Sequence, residues 1–99
     1  MTFADVVRAL HREPDVVVAK GFHNDVLKRE GKIFAMDYAG TMVFKLPRDR
    51  CAALCESGAA IPFDRGQGKP LKEWIVVADP NAWLDLASEA LAFARASRA

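Results

Sequence analysis

Two runs of alternating apolar residues joined by Ala39-Gly40 constrain this chain more than any other feature in it. Lys32–Tyr38 reads as one strand and residues 41–46 as its partner. Phe34, Met36 and Tyr38 alternate with Ile33, Ala35 and Asp37; Met42, Phe44 and Leu46 alternate with Thr41, Val43 and Lys45. Successive side chains of a strand point to opposite faces, so this period on both sides of a glycine turn predicts an antiparallel hairpin with one buried face. The large residues Phe34, Met36, Tyr38, Met42, Phe44 and Leu46 are its expected core side. Ile33, Ala35 and Val43 make the other face less polar than usual, so part of it is expected to be covered.

Helices flank this centre. Phe3, Val6, Val7 and Leu10 share one helical face, Thr2 can cap the N-terminus, Asp5 complements its dipole, and Pro14 ends the helix. Val16-Val17-Val18 favours a strand, but Gly21 and His23-Asn24-Asp25 interrupt it, so residues 26–29 are read as the end of a first strand. Arg29-Glu30-Gly31 is then a turn, with a positive φ at Gly31. Pro47 starts a helix over residues 48–57, with Cys51, Leu54 and Cys55 inward and Gly58 as its C-cap. Residues 60–63 and 72–77 are further strands. Asp79 with Pro80 opens a last helix whose polar stripe, Asn81, Asp85, Ser88 and Glu89, is narrow, so it is expected to lie largely buried. The expected architecture is a single α+β domain over residues 1–99 with a mainly antiparallel sheet of about five strands, in the order α-β-β-β-α-β-β-α, and its helices packed on one face.

Composition removes several functional classes. The chain is 52% hydrophobic and 27% charged with a net charge of +1, so it can build a core and is not intrinsically disordered. That balance offers no overall cationic excess for non-specific nucleic-acid binding, although it leaves a local basic face open. No apolar run approaches the ~20 residues a bilayer span needs, and the acid at Asp5 does not fit a signal peptide. A cytoplasmic location with reduced thiols is therefore expected.

The candidate chemical motifs are weak. Cys51 and Cys55 have the wrong spacing for a redox pair, and only His11 and His23, both remote in sequence, are available to complete a zinc site; buried structural thiols are expected. No nucleophile or second carboxylate is placed to work with either histidine. Gly66-Gln67-Gly68-Lys69 lacks the spacing of a phosphate loop and is followed by Pro70 and a strand. No catalytic residue, cofactor or metal is therefore expected. Basic residues gather instead around the turns and the glycine loop: Lys28, Arg29 and Lys32, then Lys45 and Arg48, then Arg65, Lys69 and Lys72. If the two turns lie close together, these side chains form an edge that can meet phosphates.

Gly31-Lys32-Ile33-Phe34-Ala35, Val43-Phe44-Lys45-Leu46-Pro47, Ser57-Gly58-Ala59, Phe63-Asp64, residues 68–77 (Gly68 to Val77, with Lys72-Glu73-Trp74 at the centre), and Trp83-Leu84 together resemble the TfoX N-terminal domain family (TfoX/Sxy). The fold is similar to that of the YjbR-like group. The resemblance spans about residues 20–95. It implies an antiparallel α+β domain, association with regulators of natural competence and no catalytic motif, and the similarity to the YjbR-like group implies DNA binding through wing-like hairpins. The leading expectation is a non-enzymatic cytoplasmic module binding protein or nucleic acid. The alternative is a small-ligand-binding or catalytic domain using a cleft beside the loop from Asp64 to Pro70.

Overall fold

A computed structural model describes residues 2–20, 25–64 and 71–96. Helix α1 (Phe3–Leu10) opens with the expected cap. The Thr2 hydroxyl accepts from the Asp5 amide at 3.3 Å, and the Asp5 carboxylate accepts from the Thr2 amide at 2.8 Å. This reciprocal box satisfies two otherwise orphaned donors.

Six strands follow in one antiparallel sheet: β1 (Val16–Lys20), β2 (Asp25–Arg29), β3 (Lys32–Tyr38), β4 (Thr41–Lys45), β5 (Ile61–Phe63) and β6 (Leu71–Val77). Their spatial order is β1-β2-β3-β4-β6-β5. The extra strand relative to the expected five is β1. The valines preceding Gly21 form an independent edge strand, with Val16 opposite Arg29 and Lys20 opposite Asp25. Gly21, His23 and Asn24 lie outside the described residues.

Helix α2 (Arg48–Glu56) fills the connection from β4 to β5, and Gly58 ends it at φ 84°. The amides of Ala59 and Ala60 return to the Leu54 carbonyl at 3.0 and 3.3 Å, which satisfies an acceptor at the helix end. Asp79 accepts from the Asn81 amide and caps a 3-10 turn, Pro80–Ala82, that leads into α3 (Trp83–Ala96). The Trp83 indole donates to the Val77 carbonyl at 2.8 Å, fixing the start of α3 to the end of β6.

Leu27, Ala35, Phe44 and Ile75 stand opposite one another across β2, β3, β4 and β6. They share one buried cluster with Val6 and Leu10 of α1, Cys51 of α2, and Trp83, Leu86, Ala87, Ala90 and Leu91 of α3. All the helices therefore cover the same face, as expected.

The hairpin's faces differ from the expected ones. A two-residue loop pairs Tyr38 with Thr41, so Ala35 faces Phe44 and Met36 faces Val43. Odd positions on β3 thus share a face with even positions on β4. Met36 and Tyr38 lie on the face away from the helices, and Tyr38 is 40% exposed. Phe34 regains the core through a bulge: Leu27 pairs with Ala35 but Lys28 pairs with Ile33, and the extra residue allows Phe34 and Ala35 both to be buried. On the far face Val26 and Val43 are buried in the sheet's middle, and Tyr38 meets Phe63 edge-to-face with centroids 5.4 Å apart. Part of that face is therefore covered by the sheet's own side chains. Among the described residues, no helix is long and apolar enough to cross a membrane.

Candidate functional site

Antiparallel pairing brings alternate strand ends together. The last residue of β2 is Arg29 and the first of β3 is Lys32, paired across their turn. Lys45 ends β4 opposite Trp74 of β6, and the Leu46 amide continues the ladder to the Glu73 carbonyl at 3.0 Å. Lys72 therefore enters the same end of the sheet, and Arg48 begins α2 just beyond it. Lys28 lies one position further along β2. The candidate residues from separate parts of the chain thus gather at one end of the sheet. Arg65 and Lys69, the remaining candidates, lie outside the described residues.

The two turns do lie close together. Glu30 and Lys32 from the β2–β3 turn, Lys45 from β4, and Ala90, Phe93 and Ala94 from α3 line one pocket of about 110 Å³, with Arg29, Ile33 and Phe34 completing it. A second, broader cleft of about 410 Å³ lies between α2 and β6, with Arg48 and Lys72 among Cys51, Cys55, Pro62 and Trp74. The Lys45 Nζ lies 5.9 Å from the centroid of the Trp74 ring, its partner across β4 and β6. A cation over an indole face is held by the ring quadrupole while its N–H groups stay available to an anion.

Both turns at the ends of β3 place their two central residues at positive φ: Glu30 at 52° and Gly31 at 79°, then Ala39 at 49° and Gly40 at 84°. This is the backbone of the hairpin turns that match strand twist. Only Gly31 of the first pair was expected to adopt it.

The candidates differ in availability. The Arg29 Nε donates to the Asp15 Oδ2 at 2.8 Å, its Nη1 lies 3.3 Å from the Glu30 Oε2, and it reaches the Ala94 carbonyl at 3.5 Å. It is an anchored group between β1, β2 and α3. Arg95 completes the anchor, donating to the Asp15 carboxylate at 2.7 and 2.9 Å and to the Glu13 Oε1 at 2.7 Å. Hydrogen bonds from Arg95 and then Arg29 hold the Asp15 carboxyl well below its ordinary range, and the same contacts raise Arg95. Lys45, Arg48 and Lys72 stand at the same end of the sheet, outside that anchor.

Cys51 is buried, and its Sγ contacts the Leu46 carbonyl at 3.5 Å. Burial pushes the thiol up, which favours the unreactive protonated form. Among the described residues, no three His, Cys, Asp or Glu side chains converge as a metal site. His11 is exposed at the end of α1, and His23 lies outside the described residues.

Trp74, Phe93 and Ala94 are site residues that the sequence did not single out. Trp74 meets Lys45 only because β4 and β6 are neighbours, a pairing between strands separated by α2 and β5. No local spacing signals such a contact. Comparison with known proteins finds no matching family model, no matching curated protein and no matching solved structure.

Proposed function

We propose that this chain is a non-enzymatic nucleic-acid-binding module of the TfoX N-terminal type, acting in gene regulation, and that it meets the phosphate backbone with the basic end of its sheet. The observation that carries this reading is the convergence of Lys32, Lys45, Arg48 and Lys72 on one end of the sheet, beside the turn that joins β2 to β3. Strand ends present their side chains along a ridge, which suits phosphates spaced along a backbone more than a single buried substrate. The resemblance carried by Gly31–Ala35 and Val43–Pro47 supports the same reading, since those segments frame this end.

The test is a salt titration of binding to duplex DNA. Backbone recognition gives affinities of about 10⁻⁴–10⁻⁶ M that fall as salt rises, because each neutralised phosphate releases condensed counterions. Absence of binding at the lowest salt used would remove the nucleic-acid reading.

A second reading, small-ligand binding, is favoured by the cleft of about 410 Å³ between α2 and β6; residues 65–70, beside which the sequence placed such a cleft, lie outside the described residues. Its volume lies within the usual range of ligand pockets. A metabolite screen by thermal shift tests it, and a saturating ligand at ~100 times its Kd adds about 2.7 kcal/mol of stability.

A further inference from the structure

The two edges of the sheet are unlike. β5 is three residues long with Pro62 at its centre, and a proline offers no N–H to an incoming strand. β1 is the other edge, and its Val16-Val17-Val18-Ala19 carries no proline, no charge and no break in register. Val17 is 55% exposed on one face of this strand and Val18 is 48% exposed on the other. Such an edge is a template for another strand.

The pairing with β2 fixes which backbone groups of β1 point outward. The two-residue turn Glu30-Gly31 makes Arg29 and Lys32 a pair that exchanges both hydrogen bonds. The backbone groups of Arg29 therefore point to β3, and those of its other neighbour, Val16, point away from β2. The Val16 amide agrees, donating to the Glu13 carbonyl at 3.2 Å. Alternation then turns Val18 and Lys20 outward as well, while Val17 and Ala19 bond to β2.

We infer that β1 is a dimerisation edge: two copies of this chain join β1 to β1, antiparallel, about a two-fold axis at Val18, and their two sheets become one. In that register Val18 of each copy exchanges both backbone hydrogen bonds with Val18 of the other. The Lys20 amide donates to the Val16 carbonyl of the second copy, and the Val16 amide keeps its bond to Glu13. Side chains match as well. Val18 meets Val18 on the helix-covered face, Val17 meets Ala19 twice on the other, and the Lys20 stem lies along Val16. The charges at the ends of the strand are matched within each copy, Asp15 by Arg29 and Arg95, and Lys20 by Asp25 at 3.6 Å. A net charge of +1 adds little repulsion between copies. The axis closes the pair, because only the proline-bearing β5 edges remain outermost. Two strand edges of this length bury less than the ~1,200 Å² of a stable interface, so the association is weak and depends on concentration. It does not rest on the nucleic-acid reading: Val16 lies beside Arg29 at the basic end, so pairing it with Lys20 sets the two basic ends at opposite ends of the doubled sheet.

The test is sedimentation equilibrium of the intact chain from ~10 µM to ~1 mM, with amide hydrogen exchange at both limits. The expected result is a monomer–dimer equilibrium with no larger species. The Val18 and Lys20 amides should exchange at least about threefold more slowly at the higher concentration, and those of Val17 and Ala19, bonded to β2 in either state, should change less. Val18→Lys sets two like charges face to face at the axis and should weaken dimerisation about tenfold or more, with the dilute chain still folded by circular dichroism. Ile61→Lys, at the β5 edge, should leave dimerisation unchanged. A chain that is monomeric at the highest concentration overturns the inference, as does a dimer equally strong in Val18→Lys. So do Val18 and Lys20 amides that exchange alike at both concentrations, a dimer lost in Ile61→Lys, or oligomers that grow beyond the pair. Should Val18→Lys unfold, the exchange pattern of the native chain decides by itself.

Discussion

Ala39 holds a backbone conformation that its side chain disfavours. Its φ of 49° lies in the left-handed region, where an L-residue other than Gly or Asn pays roughly 1–2 kcal/mol. The strand pairing requires it, because the tight loop at Ala39-Gly40 sets Tyr38 opposite Thr41. Asn tolerates this region through local hydrogen bonding, and Asn-Gly is a favoured pair for such a turn. Ala39→Asn should therefore stabilise the protein by about 0.5–1 kcal/mol, seen as a higher urea midpoint with an unchanged slope. A lower midpoint would show that the turn is not strained at this residue. Phe44 is the opposite case. It is fully buried in the row Leu27, Ala35, Phe44, Ile75, so Phe44→Ala leaves a cavity beneath α3. The expected loss is about 3–5 kcal/mol, enough to remove much of a small domain's stability. A loss under ~1 kcal/mol in equilibrium unfolding would contradict the packing described.

Among the elements, those specified by local chemistry were legible in the sequence. The Thr2–Asp5 box, the Gly58 C-cap and the Asp79-Pro80 start each depend on a few adjacent residues, and each lies where the sequence places it. The core face of β3 was misread for a geometric reason. Alternation shows that a strand has two faces, but the parity relating it to its partner is set by the loop, and a two-residue loop pairs even with odd. The bulge opposite Leu27 then shifts Phe34 back into the core, a change with no signature in apolar spacing. The ionic anchor was invisible because Asp15 and Arg95 are far apart in the chain. It ties the residue preceding β1 to the last turn of α3, and it makes that attachment pH-dependent. Asp15 is held below its ordinary value of 3.8 in the folded state, so its contribution is fully present above the unfolded pKa and is lost as pH falls through the folded one. The unfolding midpoint of the native chain should therefore exceed that of Asp15→Asn at pH 6, with the gap shrinking as the pH is lowered below about 4. A gap constant from pH 6 to pH 2 would show that Asp15 acts through its shape and not its charge.

Over the described residues, the molecule carries a charge separation that its net charge of +1 conceals. Lys32, Lys45 and Lys72 occupy one end of the sheet, with Arg48 beside them; Asp25 at the start of β2, Asp37 near the end of β3 and Asp79 after β6 occupy the other. Composition alone argued against an electrostatic partner, and correctly so for the average. The arrangement that matters arises because alternate strand ends meet in an antiparallel sheet, which sorts charges by strand direction. Three of the acids at the basic end, Glu13, Asp15 and Glu30, pair with Arg29 or Arg95, so they subtract little from the lysines around them. The charge separation yields a quantitative expectation for nucleic-acid binding. If Lys32 and Lys45 each neutralise one phosphate, replacing both with Gln should lower the slope of log K against log salt by about 1.8, at roughly 0.9 per contact on duplex DNA. Asp25→Asn raises the net charge by one unit but acts at the far end, where its partner is Lys20 at 3.6 Å, and should leave that slope unchanged. Equal slopes for the lysine double variant and the native chain would place the DNA elsewhere on the protein. A slope that rises with Asp25→Asn would show that overall charge, and not the basic end of the sheet, governs association.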